Sequence, residues 1–337
     1  MRLPKVLSAA LVIGVLTVPL ATAPAEAAQS LQRIQAEIVR LQVEASSAAE
    51  GAQAAKVQLA QLTRTLTGIR QEAHAQGQTV AQLRKSLGAI AVEQYQSGGL
   101  GQGLELLFSS DPTLYLSSAG SLDSLTRRKA MQMHAFATAQ QRLNATSLTV
   151  NDKVALVRAT QARLVAQSAQ AQAKLGEVQK ILAQLKKSDR IRLAKLTKQK
   201  NDREQTSSLI FAKQAKAGSG RAGTALNFAL RQLGDWYVFG AAGLIYWDCS
   251  GLTMRAYQAA GVSLPHSAAA QANYGRGVSF NSIRPGDLVF FGSPISHNGI
   301  YLGNGRMVDA PHSGARVRIE SFGSYFGNLR LVAVRRF

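Results

Sequence analysis

From Leu31 onward, apolar residues recur at steps of three and four. They are Leu31, Ile34, Ile38, Leu41, Ala45, Ala48, Ala52, Ala55, Leu59, Leu62, Leu66, Ile69 and Ala73, then Val80, Leu83, Leu87 and Ile90, with Gln76 the one interruption. A mean step of about 3.5 residues keeps one seam of a helix facing a partner helix turn after turn, which specifies a coiled coil. At about 1.5 Å per residue such a helix runs roughly 90 Å. Its alanine-rich middle allows close helix approach. Ser97-Gly98-Gly99 and Gly101 end it. Leu104, Leu106, Leu107, Phe108, Leu114, Tyr115 and Leu116, set around Asp111-Pro112, read as a small helical head at about 98–126. The helical period resumes through Met133, Phe136, Leu143, Val150, Val154, Val157 and Leu164, and continues through Ala171, Leu175, Val178, Leu182 and Leu185. Two long helices joined by a short head fold back most simply as an antiparallel hairpin; a parallel dimer of two chains is the competing arrangement.

The N-terminus reads as an export signal. Arg2 and Lys5 precede an apolar run from Val6 to about Ala23, and Ala25-Glu26-Ala27 is a small-residue cleavage site, with Ala21-Thr22-Ala23 a second candidate. An uncleaved anchor is the competing reading. A signal peptide over 1–27 puts the mature chain outside the cell, secreted or wall-associated.

The chain carries 39 Lys and Arg against 19 Asp and Glu, a net charge of +20. That balance favours an anionic partner, and nucleic acid is the weaker choice because no nucleic-acid module is present. The basic residues crowd 186–216, either as a solvated helix end or as a contact with wall polymer or lipid headgroups. Ala217-Gly218-Ser219-Gly220 is a flexible joint. The hairpin is therefore assigned to 28–205, a linker to 206–220 and a separate domain to 221–337.

The pattern changes in that last domain. A helix is expected over Ala222–Leu233, and a second begins at Asp248-Cys249 and stops at Gly261. Short strand-like runs follow at Asp287–Phe291, Gly299–Leu302, Arg306–Asp309, Val317–Ile319 and Leu331–Val334, with Asn304-Gly305 marking a hairpin turn. Helices followed by antiparallel strands make an α+β domain.

Cys249 is the single cysteine, so it forms no internal disulfide and its value is chemical. At a helix N-terminus, unpaired N–H groups and the helix dipole lower a thiol pKa and hold an oxyanion. His297 lies on a facing strand, where a base must lie to reach the sulfur. Asp309, twelve residues further on and across the hairpin turn, reaches the same face to orient the imidazole. His266 reads as cleft lining or a solvent-facing residue, His312 as a loop or substrate-side residue. His74 and His134 read as helix-surface residues. No His or Cys pair has metal-ligand spacing, so neither metal nor other cofactor is expected.

Tyr237-Val238-Phe239-Gly240, Asp248-Cys249-Ser250-Gly251-Leu252, Pro285-Gly286-Asp287-Leu288-Val289-Phe290-Phe291 and His297-Asn298-Gly299-Ile300-Tyr301-Leu302-Gly303-Asn304-Gly305 resemble the NlpC-type cell-wall peptidases. These are papain-like cysteine hydrolases of bacterial peptidoglycan. The resemblance implies cleavage of stem peptides, typically between D-glutamate and the diamino acid. It assigns Cys249 as nucleophile, His297 as base and Asp309 as the residue orienting it. Tyr237, Ser250 and Asp248 fall on the substrate and oxyanion side. The sequence departs from the family pattern at Ala241, where a second glycine is usual, at Asn298, usually small and apolar, and at Asp309, shorter than most residues at that place. The hairpin resembles the coiled coils of secreted, division-associated members, which dock on a membrane transporter-like complex and restrain the catalytic domain. A wall-binding scaffold and an acyltransferase using the same thiol are the alternatives.

Overall fold

The computed structural model describes residues 23–96, 112–215, 218–321 and 329–337. Residues 1–22 of the expected signal segment and 97–111 of the expected head lie outside the described residues. Helix α1 (Ala23–Gln96) and helix α2 (Pro112–Gln184) pack along one another. Near the base, Ile38 and Leu41 meet Val178, with Ile34, Ile181 and Leu182 around them. Further along, Ala48 and Ala49 meet Ala171. Then Arg163 donates to Gln58, and Lys129 Nζ reaches Gln94 Oε1 at 3.3 Å. Rising numbers on one helix against falling numbers on the other make the hairpin antiparallel and within one chain.

Helix α3 (Lys187–Gln214) follows a break at Leu185 and Lys186. It runs through Gln214, so the segment expected as a linker from residue 206 is helical for most of its length. The reason is packing: Phe211, Ala212 and Ala215 rest on the core of the C-terminal domain, while Leu193 joins the hairpin base. The helix thus bridges the two parts.

Helix α4 (Gly220–Arg231) buries Gly223, Ala225, Leu226 and Ala229, one face at helical spacing. Strands β1 (Trp236–Tyr237) and β2 (Tyr246–Trp247) form a short parallel pair. Helix α5 (Cys249–Ala259) and the single turn α6 (Ala268–Gln271) come next. Six strands then make a sheet: β3 (Arg276–Gly277), β4 (Leu288–Phe291), β5 (His297–Gly303), β6 (Arg306–Asp309), β7 (Arg318–Ser321) and β8 (Leu331–Arg336). Their order is β3-β8-β4-β5-β6-β7, and every pairing is antiparallel. The β5–β6 turn uses Asn304 and Gly305 at φ of 52° and 68°, the left-handed pair a tight hairpin requires.

Strand β4 is buried along its whole length. Leu288 and Phe290 face α4 and α5, whereas Val289 and Phe291 face a second cluster with Met307 and Val334. Strand β7 forms one edge of the sheet, and α3 covers it. The Ile319 N–H donates to Ser208 Oγ at 2.9 Å, and Arg318 NH1 donates to Glu204 Oε2 at 2.7 Å. An edge that would otherwise expose unpaired N–H groups is capped by the chain's own helix.

The hairpin base is an apolar knot, with Leu41 only 1% exposed. Leu41→Ala is expected to cost about 2–5 kcal/mol of local stability. Chemical denaturation followed by far-ultraviolet circular dichroism checks this, through an earlier loss of helical signal.

Candidate active site

Asp248 shapes the start of α5. Its carboxylate accepts from the Gly251 N–H at 2.6 Å and the Gly240 N–H at 2.8 Å, and it pairs with His266 Nε2 at 2.8 Å. A β-carbon on Gly251 would stand 2.3 Å from the Ala241 carbonyl oxygen. That close approach holds the loop before β2 against the first turn of α5. Asp248 is therefore the helix cap, and Cys249 is the first helical residue. Against burial, which pulls it down, the Asp248 carboxylate holds the His266 pKa above its ordinary value.

Strand β5 lies across from this helix. The Asn298 backbone N–H donates to the Cys249 sulfur. His297, one residue earlier, is 2% exposed and its Nε2 lies 2.9 Å from Asp309 Oδ2. With Asp309 as the acceptor, the ring proton sits on Nε2 and the lone pair on Nδ1. The structure thus sets Cys249 of α5 against β5 at Asn298, next in sequence to His297, and pairs His297 with Asp309 of β6. Tyr237 is buried on the same side, close enough to feel the Cys249 and Asp248 charges.

Asn298 departs from the small apolar residue expected there for a local reason. Its Nδ2 donates to Gln271 Oε1 at 2.8 Å and Thr253 Oγ1 at 3.1 Å. Gln271 Nε2 in turn donates to the Ser250 carbonyl at 2.8 Å. This buried network ties β5 to α5 and α6, and so sets the sulfur relative to the imidazole. Sequence reasoning passed over Thr253 and Gln271. Their placement on a helix face and a single turn carried no pattern to mark them.

A residue from the other end of the chain completes the site. Glu50 of α1 is 3% exposed, and its carboxylate sits on Cys249. Oε1 accepts from Ser250 Oγ at 2.5 Å and from Cys249 Sγ at 3.2 Å, and Oε2 accepts from the Ala268 N–H at 2.9 Å. Ser46 and Gln53, one turn to either side, are also buried. The α1 helix therefore covers the cleft.

This contact reverses one expectation. A thiol at a helix N-terminus should have a lowered pKa, but burial, with the Glu50 and Asp248 charges, pushes Cys249 well above its ordinary value. Burial likewise lowers His297 to about 3. In this closed arrangement the pair is a neutral thiol and a neutral imidazole, not an ion pair. His312 is buried, its pKa lowered to about 3 by burial, and it contacts the Ser313 carbonyl. It lines the cavity of about 690 Å³ between the helices and the sheet.

Residues 234–336 match the model of the NlpC/P60 family. The probable endopeptidase Rv2190c of Mycobacterium tuberculosis is 42% identical over 111 residues, covering 33% of this chain and 29% of that protein. The probable endopeptidase p60 of Listeria monocytogenes is 44% identical over 90 residues, 26% of this chain and 19% of the relative. The peptidoglycan endopeptidase RipA of M. tuberculosis is 43% identical over 79 residues, 23% and 17%. The chain thus matches less than a third of the length of these curated relatives. Among solved structures, NlpC2 of Trichomonas vaginalis aligns with a TM-score of 0.33 at 31% identity, covering 36% of this chain and 47% of that one.

Removing the Glu50 carboxyl should lower the thiol pKa, because both its charge and the hydrogen bond it accepts from the thiol disfavour the thiolate. At about pH 8, near the ordinary thiol pKa, Glu50→Ala is expected to speed iodoacetamide alkylation of Cys249 by about tenfold or more. Mass spectrometry of the alkylated protein against time checks it.

Proposed function

With an NlpC/P60 domain at residues 234–336, we propose that this chain is a cysteine endopeptidase of peptidoglycan stem peptides, held shut by its own helical hairpin. The observation that carries the reading is the Cys249–His297–Asp309 arrangement, with the Glu50 carboxylate laid across it. Cys249 attacks the amide carbonyl once His297 Nδ1 has taken the thiol proton. The Cys249 backbone N–H and the Tyr237 hydroxyl face the oxyanion. His297 gives its proton to the leaving amine, and a thioester remains. Water then adds with His297 as base, releasing the acid and the thiol.

The bond proposed is that between D-glutamate and the diamino acid. Its support is the pair of donors that now hold Glu50: the Ser250 hydroxyl and the Ala268 N–H cradle a carboxylate beside the sulfur. A D-glutamyl unit linked through its γ-carbonyl carries a free α-carboxylate near the scissile bond. Glu50 stands in for that group, so the hairpin and the substrate compete for one place.

Export by the N-terminal segment and the net charge of +20 fit work on an anionic wall in remodelling or daughter-cell separation. In the same reading, the hairpin tip docks on a membrane transporter-like division complex, which draws α1 out of the cleft.

The test is product analysis on purified peptidoglycan. The fragment from Ser219 to Phe337 is expected to release peptides ending in D-glutamate faster than the full mature chain, and Cys249→Ala is expected to release none. Equal rates for fragment and full chain would remove the restraint. Turnover by Cys249→Ala near the unaltered rate would remove the thiol mechanism.

A further inference from the structure

Asp309 is a short residue for its task, and the structure gives it a backing. In the β6–β7 register Asp309 pairs with Arg318 and Met307 with Glu320. Asp309, Arg318 and Glu320 therefore share one face, with Glu320 on the diagonal that long side chains span. Asp309 Oδ2 is taken by His297 Nε2 at 2.9 Å. Glu320 Oε2 is taken by Arg318, whose Nε donates at 3.0 Å and NH2 at 2.8 Å. That leaves Asp309 Oδ1 and Glu320 Oε1, both buried and both without an N–H or O–H donor. The two carboxyl groups lie within hydrogen-bonding reach of each other. Two carboxylates are acceptors only, so a bond between them requires a proton on one.

We propose that Glu320 is a positioning residue for the catalytic histidine: it carries a proton that it shares with Asp309, and so holds the Asp309 carboxylate against His297. The proposal rests on the peptidase reading of Cys249 and His297, but the shared proton is a property of the fold and is testable without substrate. Glu320 is the side that keeps the proton. Burial first, and then the Asp309 charge, push it well above the carboxylate range, whereas burial, with a smaller push from the Glu204 charge, raises Asp309 only to about 7 against the pull of Arg318 and the hydrogen bond from Glu320. The pair titrates as a unit.

The groups facing this pair come from four directions. His297 and Arg318 stand within the sheet, and Glu204 of α3 holds the far side of Arg318. Arg40 of α1, Lys200 and Arg203 of α3, Arg306 and His312 line the adjoining cavity. Glu204 draws part of the Arg318 charge away from Glu320, which favours the protonated form.

Infrared difference spectroscopy on the full chain carrying Glu50→Ala, which removes a further buried carboxyl of raised pKa, at about pH 8, well above ordinary carboxyl titration, tests the proton directly. A carboxylic-acid C=O band is expected in that parent and lost when Glu320→Gln is added, with the far-ultraviolet circular dichroism unchanged. The same variants, made in full chain already carrying Glu50→Ala, test positioning through kcat on peptidoglycan. Glu320→Ala is expected to lower kcat about tenfold with KM unchanged, and Glu320→Gln, whose amide still donates to Asp309, to restore most of that loss. An acid band that is absent, or that survives Glu320→Gln, overturns the proposal. So does equal turnover in the alanine variant and its parent. If the band behaves as expected and no form of the chain cleaves peptidoglycan, the peptidase reading fails and the shared proton stands.

Discussion

The arrangement turns on one buried carboxylate. Glu50 leaves water to sit beside Cys249, and burying an anion is costly unless its oxygens are paired. Three donors offset part of that cost, the Ser250 hydroxyl, the Ala268 N–H and the Cys249 thiol, while burial and the Asp248 charge still hold the Glu50 pKa above its ordinary value. All three belong to the first turn of α5 or the start of α6, so the elements that build the site are the same ones that receive the plug. The helix that brings Glu50 must come close on two sides at once. Between Ala45 and Ala55 it carries only Ala, Ser, Gly and Gln besides Glu50. Ala48 and Ala49 pack on α2 at Ala171, while Ser46, Glu50 and Gln53 are buried against the domain. A β-carbon at Gly51 would displace the end of the Gln167 side chain.

What the sequence revealed follows from what leaves a local trace. A 3.5-residue period marks every turn of a coiled coil, and the hairpin was readable for that reason. The ordered motifs around Cys249, His297 and Asp309 were readable because each nucleophile, base and turn residue is needed at a set place. Glu50 left no such trace. It lies off the seam formed by Ala45, Ala48, Ala52 and Ala55, where a charge ordinarily faces solvent. Its partner is 199 residues away, and only the tertiary fold brings the two together. Glu320 was hidden in the same way. In Val317-Arg318-Ile319-Glu320 the alternation reads as a strand with a wet face, yet that face is closed by α3 and by Asp309. The helical character of 206–214 left no mark of its own, because what holds it is the packing of Phe211, Ala212 and Ala215 on the C-terminal domain, a tertiary contact.

Closure also sets the chemistry of the site. A thiol and an imidazole become reactive together when the proton passes from sulfur to nitrogen and both become charged. Burial opposes both charges, raising Cys249 and lowering His297 to about 3, and the Glu50 anion adds to the first effect. Withdrawal of α1 would remove the anion and admit water in one movement. The thiol pKa would then fall and the imidazole pKa rise, toward the crossing at which the ion pair forms. Uncovering the cleft and arming the thiol would be one physical event. Asp309 and its shared proton with Glu320 lie on the far side of the imidazole from Cys249. They keep the ring aligned through that change, so opening has to alter only solvation and charge, and not the geometry of the base.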